Sequence, residues 1–335
     1  MLAPFKEYLV DEELNVYFVP IDLYYELSGM LSKDVYNVVR KIVREAEDFL
    51  TYEAPGILGY LSRLIKYREE IYNIPTIKRL TDETIELINE LKLLVEEANK
   101  YKNPTTIEDL SKLFELIKRI TYVLYNIFYR VNKLHEELSK YGVEFPYKID
   151  EEYFEWTDLP NIPEEYFEDF YRKLCEELDY ALEKLKDLAE KYCKEEYIEK
   201  VKKVVSMAKR IPELQPILED WKKYGDKIIF TCSGWGITYG EFTDTIPRII
   251  VYKVASADVE ELLETFAHEL KHFEQHITRK PSREEEAIAF GMQIVNIAKS
   301  LGLFIIPIFA IGIAIGMLRK RGYSGYTVPS LRRRK

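Results

Sequence analysis

The chain has 335 residues, 32% of them charged and 47% hydrophobic, a balance that excludes a disordered or low-complexity protein and leaves room for two domains with proper cores. The formal net charge of −10 conceals an asymmetry, because no Asp or Glu follows Glu286 while eight Lys and Arg do. Three cysteines are too few for a disulfide framework, and Met1–Pro20, carrying Lys6, Asp11, Glu12 and Glu13, lacks the apolar core of a signal peptide, so the body is expected in the cytosol.

The first half reads as helical. Apolar residues at spacings of three and four predict helices over Asp34–Leu50, Ile57–Tyr72, Asp82–Tyr101 and Ile107–Tyr141. Pro55-Gly56, Pro75, Asn103-Pro104 and Gly142 stand between them, and Thr105 with Glu108 has the spacing of a capping box. The aromatic stripe of Tyr122, Tyr125, Phe128 and Tyr129 reads as core rather than as a binding groove. Residues 1–150 are therefore expected to form a helical domain.

Residues 151–215 read as a connection followed by one long amphipathic helix. Phe145–Pro163 is aromatic, acidic and interrupted by proline. Beyond it Phe167, Phe170, Leu174, Leu178, Ala181, Leu185, Leu188 and Tyr192 alternate at three and four, and the pattern continues to about Lys209 before Ile211-Pro212 ends it. Such a helix packs on its own domain or pairs with a second copy in an oligomer.

Clear strand character is confined to Lys227–Tyr252. Ile228–Thr231 and Ile249–Tyr252 are the best strands, with Gly234, Gly236 and Gly240 marking turns, and a small antiparallel sheet is expected. Arg248–Val254 is the strand directly before the next helix. Tyr239 and Tyr252 are phenols that could stabilise an oxyanion, but a plain sheet-face role is the simpler reading.

Ser256–Glu261 supplies cap residues and first-turn acids, and Val259, Leu262, Leu263, Phe266, Leu270 and Phe273 then form one apolar face. Within that helix lies His268-Glu269-Leu270-Lys271-His272, an HExxH. Positions i and i+4 share a face one turn apart, so two imidazoles can hold one divalent ion, and Glu269 then lies within one water of it, where a general base must be. His276 continues the series but lies ~12 Å along the axis from His268, too far to share the ion. A third ligand must come from elsewhere. Lys280-Pro281-Ser282 breaks the helix, and Ser282, with Glu285 three residues on, has the form of a cap for the next one. Of the three acids in its first turn, Glu284 shares a face with Ala287, Ile288, Gly291 and Val295, which can pack closely on the HELKH helix. Glu284 is the favoured third ligand, with Glu286 second.

His268–His272 followed by Glu284-Glu285-Glu286-Ala287-Ile288-Ala289-Phe290-Gly291 resembles the gluzincin metallopeptidases, where the third ligand is a glutamate on the next helix in a pattern like E-x-x-A-[D/N]-x-F-[A/G]. Glu284, Ala287, Phe290 and Gly291 match it. The resemblance spans about residues 225–300 and implies a zincin-like catalytic domain over 216–300, in which Zn²⁺ is bound by His268, His272 and Glu284, Glu269 is the catalytic base, and an edge strand before the active helix borders the substrate cleft. Ile288 departs from the pattern: many gluzincins keep there an Asp or Asn that braces a ligand histidine, so the brace must come from elsewhere.

Leu301–Leu318 contains no charged or polar side chain, 18 residues at the lower end of a membrane span of ~17–25. Gly312 and Gly316 form a GxxxG, and the basic tail 319–335 follows. Membrane association through this segment and tail is expected, with lipid as partner and the body anchored through its C-terminus; a buried core helix is the other reading. Nothing supports specific nucleic-acid recognition. The sequence thus predicts a mainly α protein with a small antiparallel sheet (α+β) and an apolar C-terminal helix. Two function classes stand: a zinc-dependent peptidase acting on peptide or protein substrates, and a non-enzymatic helical scaffold or membrane adaptor in which HELKH is accidental.

Overall fold

The computed structural model describes residues 1–147, 164–234 and 240–304. The chain opens not with helix but with a hairpin, β1 (Tyr8–Asp11) and β2 (Val16–Val19). Its turn places Asn15 at φ 54°, a left-handed conformation that Asn tolerates better than most residues. The helical region then begins with α1 (Leu23–Met30), capped by Asp22 accepting from the Tyr25 N–H at 3.0 Å. α2 (Lys33–Asp48) runs through a single π turn, Phe49–Glu53, into α3 (Ala54–Tyr67). Pro55, expected to break the chain, instead lies at the start of α3 directly after the π turn, within one continuous helical run. A short α4 (Glu69–Tyr72) leads to the long antiparallel pair α5 (Pro75–Ala98) and α6 (Ile107–Ser139). Pro75 lies at the start of α5, and the cap of α6 is Thr106 accepting from Asp109 N–H, one residue beyond the expected Thr105–Glu108 pair.

The single long helix expected to about Lys209 is two: α7 (Glu164–Tyr192) and α8 (Glu195–Ala208). Lys194 between them is extended, with φ −107° and ψ 137°, and the Cys193 carbonyl accepts from the Leu2 N–H at 3.0 Å. This break marks a boundary between two apolar cores. One fills the helical region from Ile21 to Cys193; the other gathers Leu14, Val16 and Phe18 with residues from Tyr197 to Ala298. The first twenty residues, expected with the helical domain, thus supply side chains to the second core.

That second core is built around a mixed five-stranded sheet, ordered β1-β2-β3-β5-β4, with β3 (Lys227–Thr231), β4 (Gly240–Thr243) and β5 (Arg248–Val251). β3 runs parallel to both neighbours, with Val16 opposite Ile228 on one side and Ile249 opposite Ile228 on the other, and only the edge strands β1 and β4 are antiparallel. The expected purely antiparallel sheet is therefore corrected. Parallel strands need a crossover, and here the whole helical region lies between β2 and β3. β3 is buried over Ile228–Thr231, as a central parallel strand covered on both faces should be.

After α8, a 3₁₀ turn (Pro212–Leu214) and α9 (Gln215–Tyr224) precede β3, and Trp221 on α9 donates from its indole N–H to the Leu14 carbonyl at 3.1 Å. The helix that carries HELKH, α10 (Val259–Ile277), starts at a full capping box between Asp258 and Glu261. It lays Leu262, Leu263, Phe266, Leu270 and Phe273 into the core, each side chain contributing ~1.5–3 kcal/mol of burial. Phe266 meets Phe230 of β3 edge-on at 5.5 Å and Phe273 meets Trp221 at 4.8 Å.

α11 (Glu284–Ser300) returns along α10, and Gly291 permits the approach: a β-carbon there would stand 2.8 Å from the Glu264 carbonyl oxygen. α11 ends in a Schellman motif, with Gly302 at φ 67°, its N–H on the Lys299 carbonyl and the Leu303 N–H on the Ala298 carbonyl, both 3.0 Å. The expected apolar helix 301–318 and the basic tail lie outside the described residues from 305 onward, and residues 301–304 are this turn rather than helix. Among the described residues no helix is long and apolar enough to cross a membrane.

Candidate metal centre

The capping box of α10 fixes its start, and its buried stripe fixes its rotation. Together these turn His268 and His272 toward one side, with only 17% and 12% of their side-chain surface exposed. The α10–α11 crossing at Gly291 then brings the first turn of α11 over them. His268 Nε2 and His272 Nε2 are 3.0 Å apart, and Glu284 places Oε2 3.0 Å from His272 Nε2 and Oε1 3.2 Å from His268 Nε2. Three lone-pair-bearing atoms so close need a proton or a cation among them. Ligands ~2.0–2.1 Å from a tetrahedral zinc ion stand ~3.3 Å from one another, so the donor set fits such an ion in type and in spacing.

These three are the candidate metal ligands that the structure brings together among the described residues. His276 stays apart, exposed and facing the Phe242 ring at 5.7 Å. Glu286, the second choice, is turned away to the Lys271 ammonium at 3.2 Å, whose hydrogen bond holds its carboxyl below the usual range. Ser282 does not cap α11; the cap position is Arg283, with no side-chain bond, and the Ser282 hydroxyl lies 3.2 Å from His272 Nδ1.

Glu269 is 5% exposed and lies beside the ligands, with Oε1 3.9 Å from His268 Nε2. Burial, and then the nearby Glu284 and Glu241 charges, push its carboxyl up to about 8. A cation held by the three ligands would oppose that shift. Burial likewise lowers His268, with Glu284 opposing and His272 reinforcing, which favours the neutral imidazole that a ligand must be.

Across from α10 lies β4, and it is β4, not the strand directly before the helix, that forms the edge: β5 is internal. Gly240 of β4 faces Glu269 so closely that a β-carbon would stand 2.5 Å from its Oε1. A cleft of about 500 Å³ runs between β4 and α10, with Gly240, Phe242 and Asp244 on one wall, His276 and Lys280 at its far end, and the three ligands and Glu269 along its floor. Tyr252, by contrast, is buried, packs against the Tyr25 ring at a tilt, centroids 5.4 Å apart, and donates to Glu241 Oε2 at 3.0 Å. Burial and the Glu241 carboxylate raise its pKa well above the ordinary phenol value. Tyr239 lies outside the described residues.

Two participants escaped the sequence reading. Gly240 reads in the sequence as a turn marker, and a glycine packed against a buried carboxyl carries no local signal. Gln275 had one. It is among only three glutamines in the chain, and at 1% exposure it is, with Glu269, a polar side chain among the buried residues of α10. Its side-chain oxygen lies 3.1 Å from His272 Nδ1, where the residue at Ile288 would have been expected to act; Ile288 is instead 46% exposed.

No protein-family model matches the chain, no curated protein matches it, and no solved structure matches the fold.

Proposed function

We propose that this protein is a zinc-dependent peptidase. The observation that carries the reading is the convergence of His268, His272 and Glu284 to mutual distances of 3.0–3.2 Å, with the buried Glu269 carboxylate beside them at the floor of an open cleft. Two imidazoles and one carboxylate are the donor set of a catalytic zinc site, which keeps one position open. A bound zinc ion would supply Lewis acidity and lower the pKa of a water. His268 and His272 offer neutral nitrogen, and Glu284 balances charge. Glu269, one residue from a ligand and held by burial, takes a proton from water at its Oε and hands it to the leaving amine. Edge strand β4 supports a peptide as the class of substrate, since an extended chain can add to a sheet edge by backbone hydrogen bonds along the cleft.

The test is stoichiometry followed by chemistry. The purified chain is expected to bind about one zinc, and His268→Ala, His272→Ala and Glu284→Ala each to lose it, whereas His276→Ala keeps it. Glu269→Gln should fold and retain zinc while cleavage of a mixed peptide pool falls about 10²–10⁴-fold. Loss of metal in His276→Ala with retention in Glu284→Ala would refute the ligand set. A zinc-loaded wild type that cleaves nothing beyond the Glu269→Gln background would instead favour a non-catalytic scaffold.

A further inference from the structure

We infer that Gln275 is the positioning residue of this centre: one buried amide both selects the tautomer of His272 and fastens the start of α11 so that Glu284 reaches the ligands. The inference rests on the reading of His268, His272 and Glu284 as metal ligands.

The orientation of the Gln275 amide is set by its partners. The Arg283 N–H donates to Gln275 Oε1 at 3.2 Å, and Gln275 Nε2 donates to the Arg283 carbonyl at 3.3 Å. A main-chain N–H can only donate and a carbonyl only accept, so this two-point clamp fixes which end of the amide is oxygen. That oxygen is also the atom 3.1 Å from His272 Nδ1. An amide oxygen can only accept, so Nδ1 must carry the proton, which leaves the Nε2 lone pair free and aimed at His268 and Glu284. The Ser282 hydroxyl, 3.2 Å from the same Nδ1, can turn to give or take a hydrogen and therefore selects nothing by itself. A second arm of the amide reaches Glu286 Oε2 at 3.5 Å.

The same clamp grips the residue directly before Glu284. Arg283 is the N-cap position of α11 and has no side-chain cap of its own, so its backbone is held through Gln275. Glu284 itself is 67% exposed, and little packing would otherwise restrain it. The outer partner of a ligand histidine is commonly a carboxylate or carbonyl, and its loss weakens metal binding about 10–100-fold. Here the brace comes from the ligand helix itself, three residues past His272, rather than from the position of Ile288.

The test compares wild type, Gln275→Leu, Gln275→Glu and Ser282→Ala by two readouts. The first is the His272 tautomer in the metal-free protein, from ¹⁵N–¹H long-range NMR correlations of the imidazole. The second is zinc affinity by competition with a chromophoric chelator, using the metal alone. Wild type is expected to show the Nδ1–H tautomer. Gln275→Leu should shift it toward Nε2–H and weaken zinc binding about 10–100-fold, while Gln275→Glu, which keeps the acceptor, restores the tautomer. Ser282→Ala should change affinity less than about threefold. A Gln275→Leu protein that is folded by circular dichroism with tautomer and affinity unchanged would overturn the inference. Should Gln275→Leu fail to fold, the Nε2–H tautomer in wild type or in Gln275→Glu would overturn it just as well. Failure of wild type to bind zinc would refute the metal reading, and the tautomer would still decide the role of Gln275.

Discussion

The helical region and the sheet region bury polar groups in different ways. In the helical region the partners are local or peripheral: Thr84 and Thr121 donate to carbonyls four residues back, at 2.6 and 2.8 Å, and the Lys118 ammonium sits between Glu115 and Asp179 at 2.7 and 2.6 Å. In the sheet region the buried Glu269 and Gln275 look across to other elements, to β4 and to the start of α11. Burying a carboxylate without a close cation is costly. A fold that needed only stability would fill that position with an apolar side chain, as it does at Phe266 and Phe273 on the same helix. The helical region too leaves a buried hydroxyl, that of Thr81, without a partner, so the difference lies in placement: the sheet region sets its buried Glu269 and Gln275 beside one cluster, His268, His272 and Glu284.

That contrast can be broken at three glycines. Gly240→Ala carries the largest effect. A β-carbon there would stand 2.5 Å from Glu269 Oε1, so the carboxyl or the edge strand must shift, and if Glu269 is the base proposed above its misplacement costs on the order of 10²-fold. Peptide cleavage should fall by about that much while zinc content and thermal midpoint stay near wild type; unchanged turnover would separate Gly240 from the chemistry. Gly291→Ala attacks the helix crossing beneath the centre. Its β-carbon would meet the Glu264 carbonyl at 2.8 Å, a backbone atom that cannot swing aside, and overpacking of this kind costs about 1–3 kcal/mol. Gly59→Ala is the counterpart in the helical region. It lies inside α3 with no atom within 4 Å of the added carbon, so helix propensity should stabilise the protein by about 0.5–1 kcal/mol. Urea titration of both variants measures the pair, and a stabilised Gly291→Ala would mean that α10 and α11 are not held so tightly.

How much of this was legible follows the reach of each interaction. The HELKH helix and the nearness of Glu284 to its histidines are readable because helical phase is local: Asp258 caps, the apolar stripe fixes the face, and Ala287 and Gly291 mark the close side of α11. The break at Cys193–Lys194 was not, because the carbonyl of Cys193 is taken by Leu2, far away in sequence. Nor was the mixed sheet. β1 and β2 have four residues each, too few for a period, and the pairing of Val16 with Ile228 spans the entire helical region. Gln275 lay between the two cases: its type and place were visible, but its partner is a backbone group beyond the turn after α10.

The smallest effects are electrostatic, and they set the two regions against each other at opposite ends of the pH scale. In the sheet region Glu13, at the β1–β2 turn, is held by Lys209 beyond α8 and Lys222 on α9, and hydrogen bonds from these two ammonium groups lower its carboxyl from 4.5 to about 2. A depressed carboxylate stabilises the fold above its unfolded value, and that contribution disappears as pH falls from about 4.5 toward about 2. In the helical region Lys118 moves the other way. Burial lowers its pKa, but hydrogen bonds to Asp179 and Glu115 outweigh this and raise it above 10.5. Its contribution is complete below 10.5 and is lost only as pH rises through the higher folded value. Glu13→Gln should therefore lower the thermal midpoint slightly at pH 7 and converge with wild type near pH 2, and added salt should shrink the difference because the pair is exposed. Lys118→Met should instead differ from wild type at pH 7 and approach it only as pH rises beyond 10.5, through the raised folded value. Thermal scans across the two windows measure both, and a Glu13→Gln difference that persists unchanged at pH 2 would show that packing at the turn, rather than its charge, fastens the hairpin to α8 and α9.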